Sequence, residues 1–241
     1  MLKIDILGIK FDNVTFDEAM DKLKSFLLGN EKKIIVTPNA EIAQLCAENK
    51  EINELINKAD FIVPDGIGVI YASKILKKPL KQKVAGVDLA FALLPILEKE
   101  KKTLFLFGGK DGVAEKAKEK IKEKYPNIII NGILNGYYSN EEEIIKEINK
   151  VQPDVLFVCL GAPKQEKFMV NNKEKINARL MFGFGGVLDV ISGNAKRAPK
   201  IFVQLGLEWF YRLLSEPKRF KRMLKLPKYL MNAILFRFKG E

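Results

Sequence analysis

Short apolar runs recur along this chain at fairly even intervals: Leu2–Ile9, Lys33–Thr37, Phe61–Val63, Thr103–Phe107, Asn127–Ile133, Asp154–Leu160 and Arg179–Phe184. They are rich in Ile, Val, Leu and Phe and carry little charge, the pattern of strands covered on both faces. Between most of them, apolar positions repeat every three or four residues among charged ones, over Thr15–Leu28, Ala40–Ile56, Ile67–Leu76, Leu89–Glu100, Gly112–Lys124, Glu141–Val151 and Gln165–Lys175. That spacing predicts amphipathic helices. Strands alternating with helices argue a mostly parallel sheet flanked on both sides, a doubly wound α/β body.

In such a sheet ligands sit beyond the carboxyl ends of the strands, so the residues that follow each strand carry the chemistry. Phe61-Ile62-Val63 runs into Pro64-Asp65-Gly66, which breaks the strand and presents one carboxylate. Read alone, this is a turn, with Pro setting φ and Gly supplying a positive φ. Ile34-Ile35-Val36 leads to Thr37-Pro38-Asn39, whose polar groups suit either a helix cap or a sugar or phosphate contact. Leu104–Phe107 is followed by Gly108-Gly109-Lys110-Asp111-Gly112, where backbone approaches a ligand closely in some folds and makes an ordinary turn in others. Its spacing matches neither GxGxxG nor a Walker A loop. Val155–Leu160 ends in Gly161-Ala162-Pro163-Lys164-Gln165-Glu166, and a lysine in a first helical turn opposes the helix dipole unless an anion compensates it. Gly183-Phe184-Gly185-Gly186 at the last strand end predicts a bulge or a backbone surface for a ligand, with Asp189 close behind.

Composition narrows the chemistry. The 241 residues contain no histidine, so a general base must be a carboxylate, lysine, cysteine or tyrosine, and histidine-dependent triads are excluded. The two cysteines, Cys46 and Cys159, both sit in apolar segments, which argues against a disulfide framework or a zinc site and for a reducing compartment. No Asp-x-Asp pair is present to hold a metal–diphosphate, and no metal or other cofactor is expected. The acid at Asp5 interrupts what an export signal would need, and no run of 18 apolar residues occurs, so nothing is expected to span a membrane.

The net charge of +11 is concentrated at one end. Residues 196–241 hold twelve Lys or Arg against three Glu, a net of +9, leaving about +2 for residues 1–195. A body over 1–195 and a basic tail over 196–241 are therefore expected. Lys200–Leu214 reads as a helix, then Lys218–Leu226, then, after Pro227, Lys228–Lys239, with Trp209, Phe220, Leu230, Ile234, Phe236 and Phe238 among the basic residues. Basic amphipathic helices of this apolar density favour an anionic membrane surface over nucleic acid, and a homo-oligomer interface is the third reading.

Taken in order, Thr37-Pro38-Asn39-Ala40-Glu41, Pro64-Asp65-Gly66, Ala85-Gly86-Val87-Asp88-Leu89, Gly161-Ala162-Pro163-Lys164-Gln165-Glu166, Gly183-x-Gly185-Gly186-x-x-Asp189, Lys196-Arg197-Ala198-Pro199 and Gly206-Leu207-Glu208-Trp209-x-Tyr211-Arg212-Leu213 resemble the WecG/TagA/CpsF family of bacterial glycosyltransferases. The resemblance covers essentially the whole chain. It implies an inverting, metal-independent transfer from a UDP-sugar donor to an undecaprenyl-diphosphate-linked acceptor, at the cytoplasmic face of the cell membrane. In one branch the donor is UDP-N-acetylmannosamine and the acceptor N-acetylglucosaminyl-diphospho-undecaprenol, an early step of wall teichoic acid assembly. Other members use UDP-N-acetylmannosaminuronic acid or UDP-glucose in exopolysaccharide or capsule synthesis.

Carried over residue by residue, the resemblance makes Asp65 the general base and Thr37, Asn39 and Gln165 polar residues of the active site. It makes Arg212, Arg219 and Arg222 tail arginines that engage diphosphate. Gly66, Lys83, Asp88, Gly108, Gly109, Gly185, Gly186 and Asp189 are the expected substrate-binding positions. Lys83 departs from the family, in which many members carry Arg, and replaces a bidentate fork with a point charge. The fold expected is thus a doubly wound, Rossmann-like α/β body with a basic helical appendage. A donor-binding scaffold without catalysis and a nucleic-acid-binding protein are the competing function classes.

Overall fold

In the computed structural model, which describes residues 2–138, 140–215 and 220–239 and only the backbone of residues 200, 204, 212 and 221, the first apolar run folds back on itself. Strand β1 (Lys3–Ile6) pairs antiparallel with β2 (Ile9–Asp12). The strand expected over Leu2–Ile9 is a hairpin because Leu7 and Gly8 both take positive φ, 51° and 89°, the two-residue turn that suits strand twist. This pair forms its own small sheet, tied to the body where Asp12 Oδ2 accepts from the Ile62 N–H at 2.9 Å.

Helix α1 (Phe16–Leu28) opens on a reciprocal cap between Thr15 and Glu18, and strand β3 (Lys33–Val36) follows. The helix expected over Ala40–Ile56 is two helices, α2 (Ala40–Glu48) and α3 (Lys50–Asn57). Asn49 between them is extended, and its side chain accepts from the Ile52 N–H, so local capping beats helix continuation. Then come β4 (Phe61–Ile62), α4 (Ile67–Ile75) and α5 (Gly86–Lys99), the last beginning three residues before the expected start at Leu89. The remaining body elements are β5 (Thr103–Gly108), α6 (Val113–Lys124), β6 (Ile129–Leu134), α7 (Glu141–Val151), β7 (Val155–Cys159), α8 (Lys164–Asn171), β8 (Leu180–Gly183) and α9 (Val187–Ile191).

Strands β3 to β8 form a parallel sheet in the order β4-β3-β8-β7-β5-β6. Residue alternation along each strand feeds two cores. Leu104 and Leu106 of β5 pack with α1, α5, α6 and α9, whereas Phe105 and Phe107 pack on the opposite face with α2, α3, α4, α7 and α8. The doubly wound expectation holds. From β5 the chain moves outward to β6, and from β7 it moves the other way to β8, so the neighbours β5 and β7 form a topological switch point.

The tail comprises α10 (Lys200–Gln204), α11 (Glu208–Ser215), α12 (Phe220–Met223) and α13 (Lys225–Phe238). Gly206, at φ 71°, divides the helix expected over Lys200–Leu214. Pro227 does not separate two helices as expected. It sits in the first turn of α13, where a missing N–H costs no hydrogen bond. Helix α13 joins the layer of α2 and α4: Tyr229 and Ala233 are fully buried, and Asn232 donates to Gln44 Oε1 at 2.9 Å. Burying the Tyr229 ring and Ala233 favours docking of the helix, although the Tyr229 hydroxyl is buried without a hydrogen-bond partner among the described residues.

Candidate active site

At the ends of β3 and β4 the backbone is stitched into one rim. The Asp65 N–H donates to the Pro38 carbonyl at 3.2 Å, and the Val84 N–H donates to the Pro64 carbonyl at 2.8 Å. The second bond brings the start of α5 against the strand ends. There the Gly86 N–H donates to Asp65 Oδ2 at 3.3 Å. The Asp65 side chain thus meets the first turn of α5, where a helix N-terminus presents backbone N–H groups. Thr37 is buried beside the same glycine, and Asp65 is half-buried.

Asn39 caps α2: its Oδ1 accepts from the Glu41 and Ile42 N–H groups at 3.0 and 3.1 Å. Gly66 takes φ 82° as the residue before α4 and lies beside the Asn39 side chain. Thr37, Asn39, Asp65 and Gly66 are thus brought together at one rim.

A second concavity lies at the switch point, a cleft of about 740 Å³ at the ends of β5, β6 and β7. Gly109, Lys110, Gly136, Tyr137, Tyr138, Leu160, Lys164 and Asp189 line it. Gly108 closes the floor, since a Cβ there would collide with the Cys159 backbone, and the Gly109 N–H donates to the Cys159 carbonyl. Lys164 Nζ stands 4.2 Å from the centre of the Tyr138 ring and donates to the Gly136 carbonyl at 3.3 Å. Burial pushes the Cys159 thiol up to about 12, so it is inert as a nucleophile. Tyr137 and Tyr138 are not singled out by sequence reasoning. The signal that would have found them is position, the turn directly after β6.

The glycine loop after β8 lies between the rim and the cleft, because β8 separates β3 from β7. Gly185 donates its N–H to Gln165 Oε1 at 2.9 Å, and Gln165 is itself buried. Gly186 is exposed on the loop, and Asp189 follows on α9.

The tail lies over the Asp65 side. Gly206 rests against Ile67, the first residue of α4, two positions after Asp65. Lys83 pairs with Glu208 of α11, and Asp88 of α5 pairs with Arg197. These two expected substrate contacts therefore already hold tail residues. Arg222 pairs with Glu41, in the first turn of α2 beside Asn39, at 2.7 Å. Arg212 lies on α11, with its side chain outside the described residues, and Arg219 lies outside them altogether.

Comparison with known proteins gives a consistent picture. The family model described as "Glycosyl transferase WecG/TagA/CpsF family" matches residues 4–241. A protein of Bacillus subtilis (strain 168) is 41% identical over 230 residues, covering 95% of this chain and 90% of that protein. One of Staphylococcus aureus (strain MRSA252) is 37% identical over 230 residues, covering 95% and 91%. Both are named N-acetylglucosaminyldiphosphoundecaprenol N-acetyl-beta-D-mannosaminyltransferase.

Proposed function

The chain belongs to the WecG/TagA/CpsF family of glycosyl transferases, and from that premise we propose that it moves N-acetylmannosamine from UDP-N-acetylmannosamine to N-acetylglucosaminyl-diphospho-undecaprenol. The observation that carries the reading is the pairing of two sites on one sheet edge. A half-buried carboxylate, Asp65, meets the start of α5 at the β3 and β4 ends, and a cleft with two lysines and two tyrosines lies a few strands away at the switch point. Neighbouring strands lie about 4.8 Å apart, so β4 and β7 are separated by roughly 14 Å, a distance suited to a nucleoside-diphosphate sugar lying across the loop.

In this reading the nucleotide occupies the cleft, with Tyr137 and Tyr138 offering ring faces and Lys110 and Lys164 meeting the diphosphate. The sugar lies over Gly185 and Gly186, its anomeric carbon directed at the Asp65 rim. The acceptor hydroxyl enters beside Asp65, which takes its proton as the new bond forms on the face opposite the departing UDP. One displacement inverts the configuration. Charge on the leaving diphosphate is met by the cleft lysines and by the tail arginines Arg212, Arg219 and Arg222.

The acceptor is lipid-borne, and the tail fits that. No helix among the described residues is long and apolar enough to cross a membrane. Ile201, Leu205, Leu214, Phe220, Leu224 and Phe238 are nevertheless more than half exposed, in a segment of net +9. Exposed apolar side chains interspersed with Lys and Arg suit the surface of an anionic bilayer, where in this reading the enzyme works on the cytoplasmic side.

The test is direct. The protein is incubated with a short-chain lipid-diphospho-N-acetylglucosamine and a panel of UDP-sugars, and the products are weighed by mass spectrometry. A product heavier by one N-acetylhexosamine from UDP-N-acetylmannosamine supports the proposal. A product only from UDP-glucose or a uronic acid donor replaces the sugar, and none from any donor overturns the reading.

A further inference from the structure

The loop between rim and cleft is held from beneath by two adjacent side chains. Gln165 is 3% exposed, and its Oε1 accepts from the Gly185 N–H. Its Nε2 donates to Glu166 Oε1 at 2.8 Å. Glu166 is 1% exposed, and its second carboxyl oxygen has no hydrogen-bond partner among the described residues. A Cβ at Gly183 would stand 2.9 Å from Gln165 Nε2, so the amide lies flat against the end of β8.

An amide side chain is nearly symmetric in shape and opposite in chemistry at its two ends. Were Gln165 turned over, its NH₂ would face the Gly185 N–H, donor against donor. Glu166 opposes that whenever its Oε1 carries no proton, because an unprotonated carboxyl oxygen facing Nε2 accepts a hydrogen bond and would repel the amide oxygen. Packing alone does not explain Glu166, since a buried carboxyl with an unpaired oxygen costs about 1–3 kcal/mol that Leu or Met would avoid. We propose that Glu166 is a positioning residue: it sets the orientation of the Gln165 amide and thereby anchors Gly185 and the loop between the acceptor and donor sides. Its effect on turnover rests on the transferase reading, whereas its effect on Gly185 does not.

The experiment compares E166L, E166Q and E166D, read by amide exchange at Gly185 in protein labelled with ¹⁵N-glycine and by kcat and KM for the UDP-sugar. In E166L, exchange at Gly185 rises by about tenfold or more and kcat falls by a similar factor, with a native circular dichroism spectrum. E166Q still presents an oxygen to Nε2 and stays within about fivefold of wild type on both readouts. Q165A combined with E166L is no slower than Q165A alone, because Glu166 acts through Gln165. If E166L does not fold, E166D withdraws the same carboxyl by one methylene and gives the same reading. Gly185 protection retained in the folded variants, protection lost without change in turnover, or additive losses in the double variant would each overturn the proposal. Absence of product from the wild-type protein would count against the transferase reading alone, leaving the Gly185 result to stand.

Discussion

Thr37 and Gly86 face each other so closely that a Cβ on Gly86 would come within 2.7 Å of Thr37 Oγ1. Only hydrogen fits there, and this is what lets the first turn of α5 reach the Asp65 carboxylate. Gly86→Ala must push α5 and Thr37 apart, at an overpacking cost of about 1–3 kcal/mol. Expected are a melting temperature lower by several degrees and a kcat reduced about tenfold or more. A variant with wild-type kcat would show that the Gly86 N–H does not matter to Asp65.

Asp65→Asn keeps the shape of the side chain and the Gly86 contact but removes the proposed base. Binding of UDP-sugar, followed by calorimetry, should be unchanged, while turnover falls by about 10²–10⁴. Near-normal turnover would return Asp65 to the plain turn that its hexapeptide suggests.

Lys164 lines the cleft and, in the proposed reading, meets the diphosphate. Lys164→Ala should weaken UDP binding by about tenfold or more, the worth of a charge-assisted hydrogen bond, and leave uridine affinity nearly unchanged. Equal losses for UDP and uridine would move the lysine away from the phosphates.

The outer face of α13 carries Leu235 and Phe238, three positions apart and 52% and 82% exposed. Changing both to Ser costs little stability because neither is in the core. Co-sedimentation with vesicles containing anionic phospholipid should drop several-fold, and raised salt should weaken wild-type binding further. Unchanged sedimentation would refute the membrane role of this face.

Burial of Glu166 pushes its carboxyl up to about 7, above its ordinary value of 4.5. The folded protein therefore holds a proton that the unfolded chain releases, so this contribution is complete below about pH 4.5 and is lost as pH rises through about 7. A proton affinity displaced that far is worth about 3 kcal/mol. Cys46 on α2 lies within electrostatic reach but, pushed up to about 12, stays neutral throughout the window. In urea titrations, E166Q should lose less stability than wild type between pH 5 and 8. Parallel pH profiles for the two proteins would show that Glu166 does not titrate there.

Much of the site was legible in the chain because chemistry at strand ends leaves local marks. Pro64-Asp65-Gly66 and Thr37-Pro38-Asn39 end apolar runs abruptly, and the absence of histidine limits a base to a carboxylate, lysine, cysteine or tyrosine. Tyr137 and Tyr138 were not legible, since a tyrosine after a strand means nothing until β6 is placed beside β5 and β7. Nor were the pairings of Lys83 with Glu208 and Asp88 with Arg197, which join residues more than a hundred positions apart. Helix boundaries drifted where a side chain competed with the backbone, as Asn49 does between α2 and α3.

By itself the sequence determined the alternation of strands and helices, the doubly wound class, the family and the charge gradient toward the C-terminus. These follow from periodicity, turn chemistry and ordered motifs, all written within short windows. The tertiary structure alone decided the strand order, and with it which strand ends share the cleft and which share the rim. It also decided that α13 packs in the body while neighbouring tail residues keep apolar faces outside. Such pairings depend on how two covered sheet faces divide the helices between them, which no local pattern encodes.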